Sequence, residues 1–253
     1  MITCNLKGGL GNYMFQIAAT YGYAIENCVK PVFDFDVAMK VHEDINTYKS
    51  NILRNVDIDK GYADVLYREP SFGYTRIPYL MNGDVYLDGY FQSEKYFFKY
   101  SEQIKKLFTE PEDIKKYIDN KYGDIFQNIC SIHIRRSNYK DIQQFHPLMT
   151  MEYYKNAMSN FDGKFLVFSD DMEWCREKFI GENFIFSDNE EDYVDLYLMS
   201  RCDNNIIANS TFSWWGAWLN NNPNKKVIAP ENWFGPALNH DTSDLIPKDW
   251  IVC

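Results

Sequence analysis

The sequence predicts an α/β fold built on parallel sheets, and three features point to it. Short apolar or β-rich runs alternate with stretches of helical periodicity, an order that sets parallel strands side by side with helices packed against them. The pattern opens at the amino terminus as strand, glycine turn and helix, and it restarts after residue 122. Charged and hydroxyl side chains fall where strands end, the edge of a parallel sheet at which ligands gather.

Residues 2–6 are a short strand, Lys7-Gly8-Gly9-Leu10-Gly11-Asn12 is a glycine turn, and residues 13–27 carry helical spacing. Met14, Ile17, Ala18, Tyr21 and Ile25 give that helix one apolar stripe. Residues 31–36 are expected as a second strand, completing a β-α-β unit. Residues 41–76 are polar and irregular and are expected to hold short helices and loops. A strand at 85–92 leads into a helix at 93–107 capped by Ser93, and a charged helix follows at 110–122 with Pro111 in its first turn. Polar residues 120–124 mark a boundary between a domain of residues 1–122 and one of residues 123–253.

In the second half, a strand at 129–134 ends at Arg135 and Arg136, followed by a helix at 151–160. A strand at 164–171 runs into Asp170 and Asp171. Helix 173–179, strand 184–186, helix 192–201 and strand 205–208 continue the alternation, and helix 211–219 is entered through Asn209 and Ser210.

Composition narrows the function. With 26 basic against 36 acidic residues among 253, the net charge is −10, which argues against nucleic acid or an anionic membrane as partner. Any anionic ligand must be held locally. No stretch approaches transmembrane length and the amino terminus lacks a signal-like apolar run, so the chain is expected to be cytoplasmic, or peripheral to a membrane. The six cysteines are scattered without a C-x-x-C pair, as reduced thiols would be. Asn209-Ser210-Thr211 fits a glycosylation sequon that is read as coincidental.

Local anion binding is what Arg135 and Arg136 suggest, because a planar guanidinium fork matches phosphate oxygens and is rarely buried without an anion. Ser210, Thr211 and Phe212, at a helix start, offer a second cradle. Asp170 or Asp171 could accept paired hydrogen bonds from a guanine edge, and His133 could donate to a base or ribose. Each has a plainer alternative: a core histidine, a capped turn, a structural ion pair for one of the arginines. The tryptophans of Trp214-Trp215-Gly216-Ala217-Trp218 are read as helix packing. At the amino terminus, Gly9 and Gly11 could bring backbone amides close to a ligand. Methionine at position 14, in place of the third glycine, weakens a nicotinamide-binding reading. Asp34-Phe35-Asp36 has the D-x-D form of metal-dependent glycosyltransferases, its carboxylates sharing one face of a strand, but a solvated strand end gives the same pattern.

Taken together, Gly8-Gly9-Leu10-Gly11-Asn12 with Met14-Phe15-Gln16, Gly89-Tyr90-Phe91-Gln92-Ser93-Glu94-Lys95-Tyr96-Phe97, His133-Ile134-Arg135-Arg136, Phe168-Ser169-Asp170-Asp171 and Asn209-Ser210-Thr211-Phe212-Ser213-Trp214-Trp215 resemble the α-1,2-fucosyltransferases of glycosyltransferase family 11. The resemblance implies a GT-B-like pair of Rossmann-type domains with parallel sheets facing a cleft, the first serving the acceptor and the second GDP-fucose. It implies an inverting, metal-independent transfer of L-fucose to the 2-hydroxyl of a terminal galactoside, with GDP-fucose as a substrate and no cofactor. By position it implies that Arg135 contacts the β-phosphate, that His133 and one of Asp170 and Asp171 lie near guanosine, that Ser210, Thr211 and Phe212 lie near phosphate, and that the loop with Asn12 faces the cleft. Two positions depart from the family: Tyr13, where Gln is usual and which could alter the cleft wall, and Asn138, where Asp is usual and which removes a charge on which Arg136 could depend. No paired carboxylates mark a general base, and Asp36, Glu94 and Asp141 stand as equal candidates. A metal-dependent transferase and a nucleotide-sugar or glycan-binding protein without turnover remain as alternatives.

Overall fold

Every strand pairing among the described residues is parallel, as the alternation of strands and helices predicts. The computed structural model describes residues 1–40, 44–80, 83–187 and 190–253. They form two compact units: Met1–Pro111 with His240–Pro247, and Glu112–Asn239 with Lys248–Cys253.

The first unit contains β1 (Ile2–Cys4), β2 (Lys7–Gly8), α1 (Leu10–Glu26), β3 (Met39–Lys40), β4 (Val65–Arg68), β5 (Val85–Asp88) and α2 (Ser101–Leu107). Its main sheet runs β1-β5-β4, and β2 pairs separately with β3. Helix α1 buries far more than the expected stripe, since Tyr13, Phe15, Gln16, Ala19 and Thr20 are as inaccessible as Met14 and Ile17. It is a core helix, enclosed nearly all round.

Three expectations for this unit need correction. Residues 31–36 do not form a strand: they make single parallel bridges, Ile2 with Pro31 and Phe33 with Ile58. Pro31 has no amide to donate, and Asp34 Oδ1 turns back to accept the amide of Asp36 at 2.9 Å, which ends the extended run. The helix expected over 93–107 is broken into 3-10 turns at Glu94–Tyr96 and Phe98–Tyr100 before α2, with Phe97 at φ −139° as the interruption. Ser93 caps the first of these turns. The irregular region 41–76, of which residues 41–43 lie outside the described residues, does contain a 3-10 turn at Ile45–Tyr48, but it also supplies β4. As an edge strand with Leu66 and Arg68 turned to solvent, β4 carries too little apolar character to stand out.

The second unit contains α3 (Glu112–Tyr122), β6 (Ile129–Ile134), α4 (Met151–Met158), β7 (Lys164–Ser169), α5 (Met172–Lys178), β8 (Phe184–Phe186), α6 (Asp192–Arg201), β9 (Asn204–Ile206), α7 (Thr211–Leu219), β10 (Val227–Ala229) and β11 (Ile251–Val252). Across its sheet the order is β8-β7-β6-β9-β10-β11. The chain builds outward from β6 to β8, returns across β6, and builds the other way from β9. This is the doubly wound order, with its direction reversing between β6 and β9.

Strand β6 is buried at all six positions and packs with Val167, Ile206, Ile228 and Tyr154. Beneath β9, Asn205 donates to Ser131 Oγ at 2.7 Å and to the Met199 carbonyl at 2.8 Å, and Asn220 donates to Asn205 Oδ1 at 2.8 Å. This satisfied buried network pins β6, β9 and the ends of α6 and α7 in one register. Trp214, Trp215, Trp218 and Trp250 pack edge-on and stacked against one another, so these tryptophans are core, as expected. All six cysteines are unpaired, and none of the described helices is long and apolar enough to cross a membrane.

Asp195, in the first turn of α6, sets a pH dependence. Its Oδ1 accepts the Ser187 hydroxyl at 2.5 Å, and burial, reinforced by the negative charges of Glu190 and Asp192, pushes its pKa up to about 7. A carboxyl that binds its proton more tightly when folded stabilises the fold below its unfolded pKa of about 4, and that stabilisation is lost as pH rises through 7. Asp195→Asn is therefore expected to flatten the decline of Tm between pH 4 and 7.5, measured without ligand. Parallel Tm–pH curves for the two proteins would contradict this.

Candidate active site

The register of β6 against β7 pairs Ile134 with Ser169. The residues that follow each strand therefore leave the sheet side by side, Arg135 beside Asp170 and Arg136 beside Asp171. Arg135 Nη1 lies 2.9 Å from Asp170 Oδ2, and Arg136 Nε lies 3.1 Å from Asp171 Oδ2. Sequence reasoning expects one arginine in a structural ion pair; the structure pairs both.

The two arginines are held differently. Arg136 is flattened over the Trp174 ring, its guanidinium carbon 3.9 Å from the centroid, with only 16% of its side chain exposed. Arg135 is more accessible, at 27%, lies over Tyr139 at 5.5 Å, and donates through Nη2 to Asn138 Oδ1 at 2.8 Å. Asn138 thus serves Arg135. The expectation that it bears on Arg136 is corrected, because Arg136 takes its charge partner from Asp171.

Both carboxylates are engaged by the chain. Asp170 accepts the amides of Arg136 at 2.8 Å and Ser137 at 3.2 Å in addition to Arg135. Asp171 caps α5 by accepting the Trp174 amide at 3.4 Å, and Lys140 Nζ reaches its Oδ2 at 2.6 Å. The Lys140 hydrogen bond in particular holds the Asp171 pKa below its ordinary value. For a base edge, these acids have only their remaining lone pairs to offer.

His133, the last but one residue of β6, is 6% exposed, and its ring packs against Phe212 with centroids 5.5 Å apart. Burial, assisted by Arg135 and opposed by Asp170, takes its pKa down to about 4. It is a neutral imidazole at pH 7. Its Nδ1 is buried without a hydrogen-bond partner, a rare state for a polar atom and one that a ligand would relieve.

Across the reversal point, Ser210 enters α7 in extended conformation, its side chain makes no capping bond, and the first turn holds no acid. The positive end of the helix dipole is therefore not quenched by those groups. Tyr139 links the two strand ends: its ring lies under Arg135 and its hydroxyl donates to the Asn209 carbonyl at 3.2 Å. Asn209 is 1% exposed and donates to the carbonyls of Pro147 and Trp233. Burial of this kind denies the sequon any glycan.

In the first unit, α1 begins at Leu10, so Gly11 and Asn12 lie in its first turn and not in the expected loop. Gly9 is the N-cap, and Gly8, at φ +98°, makes the turn from β2. Gln16 holds Lys7 from both sides, accepting its amide at 3.0 Å and donating to its carbonyl at 3.1 Å. Asn12 Oδ1 accepts from Gln92 Nε2 at 2.9 Å. Tyr13 is fully buried, so this departure from the family pattern falls in the core and not on a binding wall.

Of the acids considered as general bases, Asp36 and Asp141 are exposed, and Glu94 sits in a 3-10 turn. Asp34 and Asp36 form an Asx turn and do not share a strand face. Among the described residues, no group of three or more His, Cys, Asp or Glu side chains gathers as a metal would require. Sequence reasoning missed Tyr139, Lys140, Trp174 and Asp195. Trp174 could have been found from its position three residues after the capping Asp171; Asp195 follows β8 at the same sheet edge, with no motif to mark it.

Comparison with known proteins agrees with this architecture. The chain is 31% identical to an α-1,2-colitosyltransferase of Escherichia coli over 99% of its own length and 98% of that protein. It is 28% identical to a galactoside 2-α-L-fucosyltransferase of Caenorhabditis elegans, over 88% of this chain and 70% of that one. The crystal structure of the α-1,6-fucosyltransferase NodZ soaked with GDP-fucose superposes with a TM-score of 0.57 at 13% identity, over 86% of this chain and 91% of that one, and shares the GT-B-like fold class. The family model for glycosyl transferase family 11 matches residues 1–253, and the chain belongs to that family.

Proposed function

We propose that the protein transfers L-fucose from GDP-fucose to the 2-hydroxyl of a terminal galactoside, with inversion at the anomeric carbon and without a catalytic metal. The observation that carries this reading is Arg135. It leaves β6 at the point where the sheet reverses direction, beside the neutral His133 and the start of α7, in a chain whose family transfers sugars.

The acceptor hydroxyl attacks the anomeric carbon as the bond to GDP breaks, so negative charge builds on the leaving β-phosphate. Groups that bind that charge more tightly in the transition state than in the ground state lower the barrier. Arg135 is suited to this task because Asp170 and Asn138 set its plane before the donor arrives. Asn138 holds the second nitrogen without adding negative charge, which leaves more of the guanidinium charge for phosphate. Ser210, Thr211 and Phe212 add the positive end of α7. A preorganised donor of this type contributes roughly 3 kcal/mol. Neutral His133 can exchange one hydrogen bond with the guanosine, where a charged imidazolium would be costly to bury. Arg136, fixed by Asp171 and Trp174, braces the loop, and Asp170 and Asp171 act through the two arginines. In the first unit, Gly9 and Gly11 shape the α1 entrance, and Asn12 is the second residue assigned to the reaction. A galactose-terminated glycan as acceptor is supported by the likeness to a galactoside 2-α-L-fucosyltransferase.

The colitosyl relative supports a second reading for the donor sugar. Colitose is fucose without its 3-hydroxyl, so a pocket that leaves this group unbonded accepts both. Supplying labelled GDP-fucose or a colitosyl donor with lactose or N-acetyllactosamine, with and without EDTA, separates the possibilities. Transfer of fucose that survives chelation is expected. Binding without transfer would identify a lectin-like protein, and loss with EDTA would identify a metal-dependent enzyme.

Arg135→Lys removes the fork while keeping the charge, and it is expected to lower kcat by about 100-fold with an unchanged Tm. Wild-type kcat in this variant would remove Arg135 from the mechanism.

A further inference from the structure

Gln92 is buried in the first unit, at the carboxyl end of its sheet, and nothing in the proposed chemistry uses it. The loop that carries it is nevertheless anchored on both sides. On one side, Glu69 accepts the amides of Tyr90 at 2.7 Å and Phe91 at 3.1 Å, and Phe91 is a buried non-glycine residue at φ +50°, a left-handed conformation that persists only when the surroundings impose it. Gly89 makes room for this grip, since a Cβ there would collide with the Glu69 side chain. On the other side, Ser93 is fully buried and donates its hydroxyl to the Asp244 carbonyl at 2.6 Å. Gln92 stands between these two anchors and points its Nε2 at Asn12 Oδ1, 2.9 Å away, while its own Oε1 is buried with no hydrogen-bond partner.

A buried amide that leaves its acceptor unused in order to donate has its orientation set by what it donates to. The Asn12 carboxamide has two ends that differ chemically, one donor and one acceptor, and a flip exchanges them. Donation from Gln92 fixes Oδ1 toward residue 92 and turns Nδ2 to the side of Gly8, where a Cβ would collide with it. Gln16 holds the preceding backbone of Lys7 rigid.

We propose that Gln92 is a positioning residue that fixes the Asn12 carboxamide in the orientation it uses in the transfer, Oδ1 toward residue 92 and Nδ2 beside Gly8, with Glu69 and Ser93 as the anchors of its loop. This rests on the assignment of Asn12 to the transfer. Gln92 touches no reacting atom in this scheme; it acts through Asn12.

A double-mutant cycle on the full chain tests it. Asn12→Ala is expected to lower kcat by about 100-fold. Gln92→Met keeps the volume and removes the donor, and it is expected to lower kcat by at least about 10-fold, with the KM for GDP-fucose and the calorimetric affinity for GDP unchanged. The double variant should be no slower than Asn12→Ala alone, because there is then nothing left to orient. Glu69→Gln, which keeps an acceptor for one amide, should fall between wild type and Gln92→Met. Wild-type kcat in Gln92→Met, or a double variant slower by the full product of the two single effects, would overturn the proposal. If Asn12→Ala itself keeps wild-type turnover, the role of Asn12 is wrong and the positioning role falls with it; that outcome is read from the single variant and is distinct from a failure confined to Gln92.

Discussion

The parallel register of β6 on β7 is the constraint from which the rest of the site follows. Ile134 opposite Ser169 obliges Arg135 and Arg136 to emerge level with Asp170 and Asp171. A slip of one residue would send every side chain of β6 to the opposite face of the sheet and would offset each arginine from its carboxylate. That register is held by complete burial of β6 and by the Ser131, Asn205 and Asn220 network on its other flank. Core packing and site geometry are therefore one structural problem here, solved by the same strand.

Local electrostatics then divides the labour between two adjacent residues of identical type. Arg136, pressed on Trp174 and tied to Asp171, has its guanidinium committed to the fold. Arg135 is braced at two of its nitrogens, one by an anion and one by a neutral amide, and remains partly open. The low pKa of His133 comes chiefly from its burial at the same strand end, with Arg135 adding to the effect and Asp170 opposing it. An acidic protein can in this way hold a confined positive site at one sheet edge.

Periodicity made the second unit legible because its elements are short, apolar and separated by clear polar breaks: β6, β8, α6 and α7 occupy the ranges that the sequence predicts. The first unit was harder to read. Its α1 starts three residues early because glycine is a permissive N-cap without a side-chain signal, and β4 is an edge strand whose exposed Leu66 and Arg68 blur the alternation. The segment after Ser93 has helical spacing yet breaks at Phe97, where tertiary packing overrides the local preference. Arg135, His133 and the tandem aspartates were visible as residue types at strand ends. The hold of Gln92 on Asn12, eighty positions apart, could not be seen before folding brought them together.

The return of His240–Pro247 to the first unit bears on synthesis as well as on architecture. Asp244 accepts the Ser93 hydroxyl and the Tyr74 amide and pairs with Lys95. An amino-terminal unit normally completes its contacts while the remainder of the chain is still being made. Here it must wait for residues 240–247, which are made after the whole of Glu112–Asn239, and the stretch that follows them delivers β11 to the second sheet. A chain interrupted after position 239 would thus lack a segment that each unit uses, 240–247 in the first and 248–253 in the second.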